Sequence, residues 1–171
     1  MNINFFFVGV IASLFLIFLV FKPLDIKKQN FNEIPVFELE SFKLKELDDK
    51  GLTTVMNGTK GIRYTDRYIV YNIDYTDNTK KYLANMIADQ GVYKGETIDL
   101  NGNILYNRED GISFSTQKAI YNKETNIVVS STPYIAYLGK NKIVGSYVEY
   151  NNALDTIRSK NITINYKLKE R

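Results

Sequence analysis

From Phe5 to Phe21 the chain reads FFFVGVIASLFLIFLVF, so a helix over this stretch has no charged or amide side chain on any face. Ile3 and Leu24 extend the apolar run on either side. A helix rises about 1.5 Å per residue, and about 20 apolar residues match the ~30 Å hydrocarbon core of a bilayer. A helix in the core of a globular domain keeps a polar stripe, which is lacking here. A cleavable signal has a shorter apolar region followed by small residues, whereas this run ends in Leu19-Val20-Phe21-Lys22-Pro23. The expectation is a retained transmembrane anchor over residues 1–24. Lys22, Lys27 and Lys28 follow it, and the positive-inside tendency taken alone puts that side in the cytoplasm.

Residues 25–35 are polar, lack periodicity and close at Pro35, as a tether does. The remainder, 36–171, has the size of one domain with one hydrophobic core, and its pattern is alternation. Ile69, Tyr71, Ile73 and Tyr75 share one parity, as do Ile162, Ile164, Tyr166 and Leu168. Such period-2 runs place apolar side chains on one face of a strand. Shorter runs are Phe37 and Leu39, Phe42 and Leu44, Ile98 and Leu100, Ile104 and Tyr106, Ile112 and Phe114, and Val144, Val148 and Tyr150. Between them stand the turn signals Asp77-Asn78, Asn101-Gly102-Asn103, Asp110-Gly111, Asn122-Lys123-Glu124, Gly139-Lys140-Asn141 and Asn151-Asn152. The class expected is all-β, a meander, roll or barrel. Thr79 to Gly91 has two readings: Tyr82, Leu83, Met86 and Ile87 are spaced as on a helix, while Tyr82, Ala84, Met86 and Ala88 alternate as in a strand. The strand is favoured, because a β roll needs its neighbours paired.

The chain has no cysteine and no histidine. Their joint absence removes thiol chemistry, the usual general base at neutral pH, the commonest metal ligand and every Ser/His or Cys/His nucleophile. The paired carboxylates Asp48-Asp49 and Glu109-Asp110 sit beside Gly51 and Gly111, as solvated turn residues do, and no metal site, cofactor or catalytic residue is assigned. A net charge of +3 is too small to argue for nucleic acid. All 13 tyrosines lie at or after Tyr64, mostly on the alternating faces. Cross-strand packing accounts for them, and so does a roomy amphipathic interior with phenols at its rim.

The segment from Asp110 to Leu168 resembles the C-terminal half of the LptC family. The resemblance rests on a strand ending near Thr116, the Tyr121-Asn122 turn, Thr132-Pro133, Ile143 with Gly145, and Val148 with Tyr150-Asn151. Upstream, Ala88-Asp89 and Leu100-Asn101-Gly102-Asn103-Ile104 are similar to the family's earlier repeats, and the region from Glu38 to Thr59 departs most. The family's members are bitopic periplasmic components of the lipopolysaccharide-export machine. The resemblance implies an inner-membrane, single-pass chain with a C-terminal periplasmic β-jellyroll, an OstA-like slab open along one side like a V. It would accept lipopolysaccharide from the inner-membrane ABC transporter, whose subunits carry periplasmic jellyrolls, and pass it to a soluble periplasmic jellyroll bridge protein. The groove assigned on this basis is Ile69, Tyr71, Ile73, Met86, Leu100, Phe114, Val148, Tyr150, Ile164 and Tyr166, each of which equally suits an ordinary core. Partner strands would add at the N-terminal edge, with Val36, Phe37, Leu39, Phe42 and Leu44, and at the C-terminal edge, with Ile162, Ile164, Tyr166 and Leu168. Gly9 and Ser13 offer the membrane helix a small-residue face for packing on the transporter.

The alternative is a bitopic periplasmic scaffold or interaction protein with a filled β core and no lipid transfer. Orientation has its own test: protease added to spheroplasts is expected to cleave the Lys27-Lys28 tether, and protection there contradicts the periplasmic placement.

Overall fold

The structure, a computed structural model, describes residues 33–49 and 51–166. The expected membrane helix with Gly9 and Ser13, nearly all of the tether, and Leu168 lie outside these residues. No helix among the described residues is long and apolar enough to cross a membrane.

The described residues form twelve strands: β1 (Phe37–Asp48), β2 (Gly51–Arg63), β3 (Tyr68–Asp77), β4 (Ala84–Lys94), β5 (Thr97–Arg108), β6 (Ile112–Asn122), β7 (Ile127–Ser130), β8 (Tyr134–Leu138), β9 (Asn141–Gly145), β10 (Tyr147–Asn151), β11 (Thr156–Lys160) and β12 (Thr163–Asn165). All belong to one open antiparallel sheet. Spatial order follows chain order from β1 to β7 and continues through β10 to β11, while β8 pairs β6 and β9, and β9 pairs β12. The all-β expectation therefore holds. Helical spacing at Tyr82, Leu83, Met86 and Ile87 gives way to pairing on both sides, with Met86 opposite Tyr75 and Tyr106, and the strand begins at Ala84.

A line of irregular residues crosses every long strand. Ser41 in β1 and Asn72 in β3 have left-handed backbones, with φ of 48° and 50°, and the ladders skip at both. The line continues through Asp89, where the β4–β5 register shifts, to Gly102 and Asn103, with φ of 76° and 45°. Beyond β6 it runs through the breaks that separate β7 from β8, β9 from β10, and β11 from β12. Asn101-Gly102-Asn103 is thus no reversal: it lies inside β5, and the two short runs read around it are one strand. At Gly102 both requirements coincide, because the backbone is left-handed and a Cβ would overlap the Asp89 carboxylate. Bulges of this kind bend a strand, and a row of them bends the sheet.

Glycine contacts show which residues share a face on either side of this crease. A Cβ at Gly58 would press on the Phe42 ring and on Val70 Cγ1, and one at Gly61 on the same Phe42 ring. One at Gly91, opposite Val70, would meet Ile73 Cδ1 at 2.6 Å and Leu100 Cδ2 at 3.3 Å. Val70 and Ile73 therefore point to one face although three positions apart, since Asn72 resets the alternation between them. The core lies on that face. Ala88, Ile104 and Ala119 are buried, with Met86, Leu100 and Val128 packed against them. Residues from both sides of the crease meet in this cluster, so the two halves of the sheet fold toward each other. Tyr134 of one half reaches the other through its hydroxyl, 2.7 Å from Ser159 Oγ.

Two substitutions test the face assignment. Ile104 is 3% exposed on the enclosed face, and Ile120 is 50% exposed on the opposite one. Ile104→Ala is expected to cost about 2–5 kcal/mol in denaturant unfolding and Ile120→Ala about 0.5 kcal/mol or less. Equal losses at the two positions would contradict the assignment.

Candidate functional site

The enclosed face forms a trough whose floor is the crease. Full burial of apolar side chains among the described residues is confined to Ile73, Ala88, Ile104, Ala119 and Tyr134 on this face and to Ile62 on the outer one, where it pairs with Ile69. Around this waist the face remains apolar but half-buried, at Met56, Tyr75, Met86, Tyr106, Phe114, Val128, Val148 and Tyr150. Phe114 and Tyr134 stack at 5.4 Å between ring centroids. Toward the sheet edges the same face becomes exposed: Leu44 of β1 is 53% exposed and Ile157 of β11 is 68%. The apolar surface thus runs the length of the strand order and emerges at both ends.

Polar groups lie along the floor and at the mouth. On the floor, Ser130 is only 1% exposed, yet its hydroxyl stands 2.8 Å from that of Thr116, which stands 2.8 Å from Thr132 Oγ1. On the exposed, outer side of the crease Asn103 donates from Nδ2 to Asp89 Oδ2 at 2.9 Å, and Asn72 from Nδ2 to Thr59 Oγ1 at 2.9 Å. Backbone groups freed by the broken ladder are paired as well: Asn103 N–H donates to Gln117 Oε1 at 3.3 Å and Lys118 N–H to Thr132 Oγ1 at 3.2 Å. At the mouth, burial first of all pushes the Tyr75, Tyr106 and Tyr150 phenols above their ordinary pKa. Tyr150 also donates to Asp155 Oδ1 at 3.0 Å. Arg108 grips Asp110 through two bonds of 2.8 Å, which hold that carboxyl below its usual range against a smaller opposing effect of burial. Lys80 Nζ donates to Asn152 Oδ1 at 2.9 Å, joining the β3–β4 connection of one half to the β10–β11 turn of the other.

Of the ten groove residues expected from the sequence, Ile73, Met86, Leu100, Phe114, Val148 and Tyr150 fall on the enclosed face by register. Ile164 pairs with Ile143, which pairs with Ala136 opposite Phe114, so it continues that face at the exposed edge. Tyr166 follows β12 and is exposed. Ile69 and Tyr71 are placed otherwise: they flank the inward Val70 and so point to the outer face, where Tyr71 lies opposite Lys60. The left-handed turn at Asn72 is the reason, since it breaks the alternation that Ile69, Tyr71, Ile73 and Tyr75 display in the sequence. Val70, Ile104, Val128 and Tyr134 share the face without having been picked out. Tyr106 was visible as an alternating partner of Ile104, but Val70 carried no signal short of the crease itself.

Both edges are open. β1 has β2 as its single neighbour, β11 has β10, and β12 has β9. Along β1 the enclosed side carries Phe37, Leu39, Phe42 and Leu44, and the outer side Glu38, Glu40, Lys43 and Lys45. The C-terminal edge is wider than residues 161–168, because β11 borders one half of the sheet and β12 the other.

Comparison with known proteins bears on this geometry. A search of curated proteins found no match. Among solved structures, the chain is similar to LptH of Pseudomonas aeruginosa, described as the LptA-homologous periplasmic component of the conserved lipopolysaccharide transport device. The TM-score is 0.51 at 13% identity, over 82% of this chain and 100% of that one, a likeness of fold. The family described as lipopolysaccharide-assembly, LptC-related, matches residues 7–167. With nearly the whole sequence matched and an open, creased β-slab as its fold, the chain belongs to the LptC-related family of lipopolysaccharide assembly.

Proposed function

We propose that the chain takes part in lipopolysaccharide export, holding the lipid's acyl chains in the trough and passing them along it. The observation that carries this reading is the half-buried apolar face that surfaces at both sheet edges. A filled sandwich buries such side chains fully, whereas a lipid channel needs them accessible. Each CH₂ forced into water costs about 0.8 kcal/mol, while transfer between like apolar surfaces costs little, so a continuous greasy path retains the lipid and lets it advance. The chemistry needed is burial alone, and energy input belongs to a partner.

In this reading the N-terminal apolar segment anchors the chain in the inner membrane and packs on the transporter through Gly9 and Ser13, and the slab stands in the periplasm. The donor is the inner-membrane ABC transporter with its own jellyrolls, at the β1 edge. The acceptor is a soluble periplasmic jellyroll, at the β11–β12 edge. Strand addition suits both edges, since a partner strand gains main-chain hydrogen bonds and brings its apolar face into line with this one. A protein-binding scaffold also uses open edges, so the trough decides between the two readings.

Photo-crosslinking residues at Phe114 or Tyr150 are expected to trap lipopolysaccharide in cells, and the same residue at Tyr71, on the outer face, is not. Crosslinks absent from all three positions, with the protein folded and present, would favour the scaffold.

A further inference from the structure

We propose that one lip of the trough carries a site for phosphate groups on the headgroup of an acylated lipid, formed by Arg63 and Lys123 with Tyr68 and Tyr93 between them. The proposal rests on the reading of the trough as a lipid site and adds where the headgroup sits. Arg63 ends β2, Tyr68 begins β3 and stands opposite it, and Tyr93 of β4 stands opposite Tyr68. The three lie two residues beyond Gly61, Val70 and Gly91, so they share the enclosed face at the end of the sheet farthest from the crease. Arg63 Cζ is 5.4 Å from the Tyr68 ring centroid, and the Tyr68 and Tyr93 rings stack at 6.0 Å. Lys123, just after β6, places Nζ 4.9 Å from the Tyr93 centroid and donates to the phenol oxygen at 3.5 Å. A cation–tyrosine–tyrosine–cation row thus spans neighbouring strands at the rim.

Charge distribution sets this row apart. The neighbouring cations are neutralised: Arg67 by Asp66 and Glu33, Lys94 by Asp66, and Lys60, on the outer face, by Glu38. Among the described residues no carboxylate comes within ion-pair distance of Arg63 or Lys123. On the opposite lip Arg108 is held by Asp110, Lys80 is bonded to the Asn152 amide and Lys81 lies over Tyr82, while Asp77 and Glu46 act on the Tyr75 phenol. An amphiphile with its tails in the trough has its head at the mouth, and this row brings two cations without a carboxylate partner together there, beside two tyrosine rings. Stacking on an exposed ring engages the face of the guanidinium and leaves its N–H edge free for the two parallel bonds that a phosphate accepts. The tyrosines suit the boundary, with rings toward the apolar side and hydroxyls toward water.

The test uses the full chain in detergent and compares binding of purified lipopolysaccharide with binding of the same lipid stripped of phosphate. Unaltered protein is expected to prefer the phosphorylated lipid. The double variant R63Q/K123Q should bind it about tenfold more weakly and bind the stripped lipid as before, a loss that shrinks at high salt. R63K/K123R should restore part of the difference, and Lys118→Gln, on the outer face, should change nothing. Equal weakening toward both lipids, or none toward either, overturns the phosphate site and leaves the trough standing. If the unaltered chain binds neither lipid, the trough reading falls and this proposal with it. Inorganic phosphate alone is expected to show no saturable binding; tight saturable binding would assign the site to free phosphate and overturn the headgroup as its source.

Discussion

The crease is the constraint on which the rest of this molecule depends. A flat or smoothly twisted sheet of long antiparallel strands has two equivalent faces and encloses nothing. Here the strands change course along one line, through left-handed residues at Ser41, Asn72, Gly102 and Asn103 and through outright breaks farther on. Left-handed backbone is unfavourable for residues with a Cβ, and asparagine tolerates it better than most. The backbone groups released from the ladder are taken up locally by the side chains of Thr59, Gln117 and Thr132, which meet Tyr71 C=O, Asn103 N–H and Lys118 N–H. What the fold obtains is curvature concentrated along one line, which turns one face inward.

That concentration also explains how burial is distributed. Small or branched side chains close to the line, Ile73, Ala88, Ile104 and Ala119, are pressed together where the halves converge. Farther out the halves diverge, and the larger tyrosines, phenylalanine and methionines of the same face stay half-covered. Stability and accessibility are thereby assigned to different depths of one surface. The waist supplies cohesion, and the flared parts keep apolar area accessible.

Much of this was legible in the sequence, for reasons particular to each element. Alternation announced β3, β5 and β6, and the reversals at Asp110-Gly111, Asn122-Lys123-Glu124, Gly139-Lys140-Asn141 and Asn151-Asn152 stand where turn chemistry puts them. The crease was not legible, because a bulge residue and a turn residue use the same amino acids. Asn101-Gly102-Asn103 serves as a kink and reads as a hairpin, and Asn72 passes for an outward polar position in a regular strand. Since a shift of one residue exchanges the two faces, Ile69 and Tyr71 point outward while Ile73, on the far side of Asn72, points to the enclosed face. The alternation at Phe37, Leu39, Phe42 and Leu44 belongs to the edge strand β1, while β11 and β12 divide the C-terminal border between them.

Strand order that follows chain order has a consequence for how such a domain comes into being. As a chain crosses a membrane from its N-terminus, each of the first seven strands emerges next to the one that must pair with it. Contacts between sequence neighbours require closing only short loops, so the sheet can grow by accretion as the chain is delivered. The last strands to arrive, β11 and β12, form the border that stays open. Vectorial folding would leave the newest strands of the described sheet at an open border.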